Sequence, residues 1–313
     1  MTVSTVDLSV RLGAVQLPNP IVTASGTFGH GAELATLCDP ALLGAVTTKS
    51  QASFAWVGNP GPRLHATACG MVNAVGLQGQ GIAHWIAHDL PALRAMDARV
   101  IASIWGRSVE EFAEAAAALD PVQDDLVALE VNLSCPNLHA GDAIFAHDAS
   151  ATSDVVHQVC QIVGVPVFAK LSAGAADLVH IAGAAVDAGA TGLTLINTVR
   201  ALLVDAELRR PVLGSPGGGL SGAAIKPIAL RAVHDVTSAH VGVPVIGTGG
   251  VSSGVDAVEV LLAGATAVGV GTATFADPRA PLRILGELED WCAGHGVTRV
   301  SELTGALRKE TST

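Results

Sequence analysis

The sequence predicts an α/β protein folded as a (β/α)8 (TIM) barrel, with an N-terminal hairpin and long strand-end loops capping the active face. Three observations predict it. Eight short apolar runs recur along the 313 residues. Segments of helical length separate most of them. Each run is continuously apolar rather than alternating, as expected when both faces of a parallel sheet are covered.

Taken in order, Thr2–Leu17 reads as a hairpin closing the bottom of the barrel. The eight runs are Ile21–Gly26, Ala45–Ser50, Val100–Gly106, Val127–Ser134, Pro166–Ser172, Gly192–Thr198, Pro244–Gly250 and Ala267–Ala273. Helix Ser108–Leu119 opens with a capping-box pattern, Ser108 followed three residues on by Glu111. Ser150–Val163, Asp177–Ala188, Ser221–Ala239 and Ser253–Ala263 keep the rhythm. An open doubly wound sheet would share this alternation, but no Gly-x-Gly-x-x-Gly turn follows the first strand. No Pro- or Ser-rich linker supports two separate α/β halves, so residues 1–313 are read as one barrel domain. Two connections are longer than a minimal barrel needs. Residues 51–81 carry Gly58-Asn59-Pro60-Gly61-Pro62 and then Met71–Leu77, and residues 199–220 carry Gly217-Gly218-Gly219. Loops that follow strand C-termini build the active face of such a barrel.

Composition narrows the function classes. Hydrophobic residues make up 50% and charged residues 14%, which excludes intrinsic disorder. A net charge of −11 opposes binding to nucleic-acid phosphates or to an anionic membrane surface. Mean hydropathy of +0.48 raises the question of a membrane span. The uncharged stretch Val260–Ala276 is broken by Gly264, Gly269 and Gly271 and falls short of the roughly 20 apolar residues required. Asp7 stands early and no apolar signal region follows, so a soluble cytoplasmic protein is expected. The five cysteines, Cys38, Cys69, Cys135, Cys160 and Cys292, never form a Cys-x-x-Cys pair. That spacing argues against a disulfide framework, a structural zinc site or an iron–sulfur cluster on this chain, and no metal is expected.

Four features point to chemistry. The chain has four lysines, and two of them, Lys49 and Lys170, end the second and fifth apolar strands. An ammonium aimed into a barrel mouth needs compensation. A buried salt bridge would supply it, an anionic ligand would supply it for both at once, and a Schiff-base role is a third reading. Strands seven and eight end in Gly247-Thr248-Gly249-Gly250 and Gly269-Val270-Gly271-Thr272. These glycines serve tight turns, or they bare backbone N–H groups to a phosphate at the position where barrels often bind one. The fourth strand ends in Asn132-Leu133-Ser134-Cys135-Pro136-Asn137. An isolated Cys is usually a small buried hydrophobe, whereas here a thiolate could act as base or nucleophile if its pKa were lowered. Leu138–Asp148 beyond it reads as a lid. Finally, Asn73, Asn132, Asn137 and Asn197 stand at strand ends or in mouth loops. Each alone is a turn residue, but together they suit a neutral, amide-rich heterocycle.

Six motifs, in order, carry a family resemblance: Thr47-Thr48-Lys49-Ser50, Asn73–Gln78, Asn132–Asn137, Ile196-Asn197-Thr198, Gly218–Gly222 and Gly247–Gly250. From about Ser25 to Asp277 the chain resembles the dihydroorotate dehydrogenases, flavin enzymes of pyrimidine synthesis. Cys135 in place of serine, and a start almost directly at the barrel, resemble the soluble class 1 branch. Gly218–Gly222 followed by Ala224-Ile225-Lys226-Pro227 looks most like its NAD-linked subtype. The resemblance implies one FMN per chain, a dimer or heterotetramer, and a partner subunit carrying FAD and a [2Fe–2S] cluster. It implies that FMN contacts Ser25, Lys49, Ser50, Ser103, Asn132, Lys170, Ile196, Gly222, Gly249, Gly250, Gly271 and Thr272. Orotate would contact Lys49, Asn73, Ala74, Val75, Gly76, Leu77, Asn132, Asn137, Asn197 and Thr198. Cys135 would remove the C5 proton while C6 gives its hydride to the flavin, with Lys170 stabilising the reduced flavin.

The chain departs from the family pattern in three places. Ser103 stands where an asparagine is usual, Gly79-Gln80 replaces a common Asn-Pro, and the lid has His139-Ala140-Gly141-Asp142 without paired glycines. Other readings are a flavin barrel acting on another dihydropyrimidine, a flavin-free Schiff-base lyase or aldolase, and a non-catalytic barrel that serves as a binding subunit.

Overall fold

The computed structural model describes residues 6–134 and 144–307. Cys135 and Asn137, and most of the segment read as a lid, lie outside the described residues.

All eight apolar runs form parallel strands of one sheet. They are β1 (Ile21–Thr23), β2 (Val46–Thr47), β3 (Val100–Ile104), β4 (Leu126–Asn132), β5 (Val167–Leu171), β6 (Gly192–Leu195), β7 (Val245–Thr248) and β8 (Ala267–Val270). The ladder runs β1-β8-β7-β6-β5-β4-β3-β2. A parallel bridge between Val22 and Ala45 closes the ring, with Gly44 N donating to Ile21 O at 2.8 Å. The sheet is therefore a barrel. Each strand is shorter than its apolar run because the run's small and polar tail leaves the ladder and turns into the mouth.

Successive residues of a strand face opposite sides. The outward set, including Leu129, Val131, Leu171, Leu193 and Leu195, is fully buried beneath the helices. Helices Val109–Ala117, Ala149–Cys160, Leu178–Asp187, Lys226–Ala239 and Gly254–Leu262 occupy the predicted crossovers. Polar caps set several of their starts: Ser108, Asp148, Asp177 and Ser253 each accept from a backbone N–H two or three residues inside the helix. The capping box at Ser108 is only half made. Glu111 accepts from the backbone N–H of Arg107 at 2.7 Å instead of that of Ser108. Helix Lys226–Ala239 starts later than expected from Ser221, which belongs to a strand. The crossover from β1 to β2 contains only a 3-10 turn, Pro40–Leu42.

A hairpin, Val10–Leu12 paired with Val15–Leu17, buries Leu12 and Leu17. Its Gly13 lies against Thr191, at the N-terminal end of β6, so it covers the bottom of the barrel. At the other end, the two long connections are not loops throughout. Leu64–Thr67 and Gly70–Asn73 form a hairpin, and Gly218–Ser221 pairs with Gly70–Asn73 on one side and with Val199–Ala201 on the other. This four-stranded antiparallel sheet caps the mouth. Among the described residues no helix is long and apolar enough to cross a membrane.

Candidate active site

The inward face of the barrel turns polar near its C-terminal rim. In register, Ser103 of β3 lies beside Glu130 of β4, and Asn132 of β4 beside Lys170 of β5. All four side chains are buried. Lys170 Nζ donates to Ser25 Oγ at 3.0 Å and lies 3.4 Å from Glu130 Oε1. Ser103 Oγ donates to the same carboxylate oxygen at 3.0 Å and sits 2.9 Å from Ser50 Oγ. Asn132 Nδ2 donates to Ser50 Oγ at 3.1 Å. Asn132 Oδ1 in turn accepts from Ser134 Oγ at 2.7 Å and from Asn197 Nδ2 at 3.1 Å. Asn197 Oδ1 accepts from Thr198 N at 2.8 Å. One hydrogen-bonded chain thus runs from Ser25 after β1 to Thr198 after β6. Such a network fixes each member's rotamer because an unpaired buried polar group is costly.

Lys170 therefore has the buried salt bridge that was one of its readings. Lys49 differs. Among the described residues no carboxylate lies within ion-pair distance of it. Burial first, and the Lys170 ammonium second, push its pKa down to about 8. Two cations pressed together with one carboxylate between them and the barrel floor form a site suited to an anion.

Above this floor is a cavity of about 440 Å³, inside the roughly 300–1,000 Å³ range of small-molecule sites. Of the predicted positions it is lined by Ser25, Lys49, Ser50, Asn73, Val75, Gly76, Leu77, Asn132, Lys170, Ile196, Asn197, Thr198, Gly222, Gly249, Gly250, Gly271 and Thr272. Two of the predicted positions among the described residues are not in its wall. Ala74 is buried with Val72 and Leu213 in a small apolar cluster of the cap, away from the cavity lining. Ser103 stands behind Ser50 and reaches the mouth only through it. The cap orients the 73–77 segment. Asn73 Nδ2 donates to Gly219 O at 3.2 Å, and Trp56 Nε1 donates to Gly76 O at 3.0 Å. On the opposite wall, Gly249 and Gly250 have φ of 136° and 78°. A Cβ there would come within 2.7 Å of Ala229 Cβ and 2.8 Å of Lys226 N, so no larger residue is accommodated.

Several residues of the floor and wall carried no sequence assignment. Glu130 was hidden inside an apolar run. The signal that would have found it is a lone carboxylate in a strand covered on both faces, two residues before Asn132 and so on the same side. Ser134 was quoted within a motif without a role. Trp56, Trp105 and Arg107 also line the cavity. Among the described residues no cluster of three or more metal-ligating side chains exists.

Fold and mouth together place the molecule among the (β/α)8-barrel enzymes. Residues 7–291 match the family model of dihydroorotate dehydrogenase. The chain is 46% identical over 302 residues to the dihydroorotate dehydrogenase B (NAD(+)) catalytic subunit of Geotalea daltonii. That alignment covers 96% of this chain and 98% of the relative. It is 45% identical to the same subunit of Geobacter metallireducens, with the same coverage. It is 42% identical to that of Alkaliphilus metalliredigens, covering 96% of this chain and 99% of the relative. The chain belongs to the dihydroorotate dehydrogenase family, a family of oxidoreductases.

Proposed function

We propose that the chain oxidises dihydroorotate to orotate in pyrimidine biosynthesis, with FMN bound in the mouth as the electron acceptor. The observation that carries this reading is the hydrogen-bonded chain from Ser25 to Thr198. It presents the amides of Asn132 and Asn197 and the ammonium of Lys170 to one cavity that Lys49 also lines, as a ring with a carboxylate and ring amides requires.

The residues fit FMN. The Gly249-Gly250 turn is packed too tightly against Ala229 and Lys226 to carry a side chain, so it offers bare backbone to the cavity wall beside Gly271 and Thr272, the kind of surface that holds a phosphate. Lys170, fixed by Ser25 and Glu130, holds a positive charge at the floor, where a flavin ring edge would rest. When bound, FMN supplies two-electron redox chemistry. Ser50 and Asn132 orient one edge of the ligand stack, with Ser103 supporting Ser50 from behind. Lys49 and Asn73 hold the substrate carboxylate and ring on the cap side, and Asn132, Asn197 and Thr198 hold the amide edge. Asn137 completes this set. Cys135 takes the C5 proton as a thiolate. It directly follows Ser134, whose hydroxyl is tied to both Asn132 and Asn197. Positioning of this kind contributes much of the rate in such a reaction.

The relatives are named catalytic subunits of NAD(+)-linked enzymes. We read this chain likewise as one subunit of a larger enzyme. Its partner carries FAD and a [2Fe–2S] cluster and passes electrons to NAD, and the chain itself works in the cytoplasm as a dimer or heterotetramer.

The test is the visible spectrum of the purified protein before and after anaerobic dihydroorotate. A yellow protein bleached by dihydroorotate and not by dihydrouracil is expected. A colourless protein that takes up no FMN overturns the reading, and bleaching by dihydrouracil alone reassigns the substrate.

A further inference from the structure

The chain has six Phe, four Trp and no Tyr, yet two of these rings, Trp56 and Trp105, stand in one wall of the mouth, and a third, Phe54, packs against both. Phe54, Trp56 and Trp105 pack edge to face, with centroids 5.7–6.4 Å apart. Arg107 lies over two of them, its Cζ 4.7 Å from the Phe54 centroid and 4.9 Å from that of Trp56. Glu111 grips the guanidinium from behind, accepting from Nε at 3.1 Å and Nη2 at 2.6 Å. The ion pair fixes the plane of the guanidinium, and the ring stack fixes Trp56 in turn. Trp56 reaches onward. Its indole N–H holds Gly76 O at 3.0 Å, and its backbone exchanges hydrogen bonds with Gly79 at 2.8 and 3.0 Å. Gly76 has φ of 71° and Leu77 of 61°, so this segment is held in a left-handed turn that needs outside support.

Resting on the reading of the mouth as a dihydroorotate site, we propose that Arg107 is a positioning residue for substrate. It acts through Trp56 to hold the 73–77 segment in its binding shape. Neither Arg107 nor Trp56 transfers a proton or an electron. Their effect is on ligand affinity, and the chemical step in the saturated complex is untouched.

The test uses the FMN-loaded protein. Orotate Kd is measured by perturbation of the flavin spectrum, alongside KM and kcat for dihydroorotate, in wild type, R107A, R107K, W56F and the R107A/W56F double variant. W56F keeps a ring under Arg107 and deletes the indole donor to Gly76. The expected result is orotate binding weakened about tenfold in R107A and in W56F, with KM raised to match and kcat unchanged. R107K, which keeps a cation over the rings, recovers part of the loss. The double variant is no weaker than the weaker single, because the two residues act in series. Should R107A not fold, E111Q releases the same guanidinium and is expected to raise KM in the same direction. The proposal is overturned if R107A or E111Q binds orotate as wild type does, if kcat falls instead of affinity, or if the two single losses multiply. Wild-type protein that binds FMN but not orotate would instead remove the substrate reading.

Discussion

Lys170 and Glu130 form an ion pair inside the barrel, Nζ to Oε1 at 3.4 Å, with both side chains almost wholly shielded from water. A pair in this setting is weak support for stability when intact, but removing one partner strands the other charge. Ser25 and Ser103 add hydrogen bonds to the two ends, so the pair is the node between the floor and the wall of the mouth.

Glu130→Ala is accordingly expected to destabilise the fold by about 3–5 kcal/mol in denaturant titration, whereas replacing both members by apolar residues recovers most of that. Loss below 1 kcal/mol in E130A would mean that Lys170 finds another anion. Lys170→Ala is expected to weaken FMN retention, or to slow flavin reduction by substrate. Full occupancy with unchanged reduction would remove Lys170 from that role.

Cys135→Ala is expected to keep its yellow colour while flavin reduction by dihydroorotate falls roughly 10²–10⁴-fold. Stopped-flow absorbance under anaerobic conditions measures it. Reduction at near the wild-type rate would take the base role away from Cys135.

Lys49 introduces a pH dependence whose sign follows from its depressed pKa of about 8. An anion prefers the ammonium, so orotate affinity is expected to weaken as pH rises through that value, by up to about tenfold per unit. Lys49→Arg should flatten the profile between pH 7 and 9. Stability moves the other way. The unfolded chain keeps its lysine protonated up to the ordinary value of 10.5, so between about 8 and 10.5 this group makes the native state more stable as pH rises.

Gly249→Ala places a methyl group 2.7 Å from Ala229 Cβ on a backbone with φ of 136°. A cost of about 1–3 kcal/mol and a lower FMN content on purification are expected. Gly286→Ala, exposed inside the helix Ala280–Gly294 with nothing within 4 Å of the added carbon, is the control: FMN content unchanged and stability raised by about 0.5–1 kcal/mol.

The barrel was legible because strands covered on both faces leave a mark that helix-flanked runs share with little else. Val131, Leu171 and Leu193 are apolar for the same reason, burial under helices. The site was legible where residue type and strand end coincide, as at Lys49, Asn132, Lys170 and Gly249. The cap sheet was not. Its strands are three or four residues long, and Gly218 and Gly219 have no side chain to alternate. They join a strand only because Asn73, Arg200 and Ala201 lie opposite. Glu130 escaped notice because a single carboxylate hardly changes the apolar character of Leu126–Asn132. Ala74 was assigned by membership of a motif, and its methyl group packs with Val72 and Leu213 instead of lining the cavity.

The cap joins backbone from two insertions 146 positions apart, at Asn73 and Gly219. One rim of that plate abuts the segment assigned to the pyrimidine, and the other continues into Gly222 on the flavin side. The two insertions therefore cannot drift independently over evolutionary time. Transplanting either one alone between homologous barrels would leave a roof whose halves no longer meet, and ligand preference passes to a recipient only when both are exchanged together.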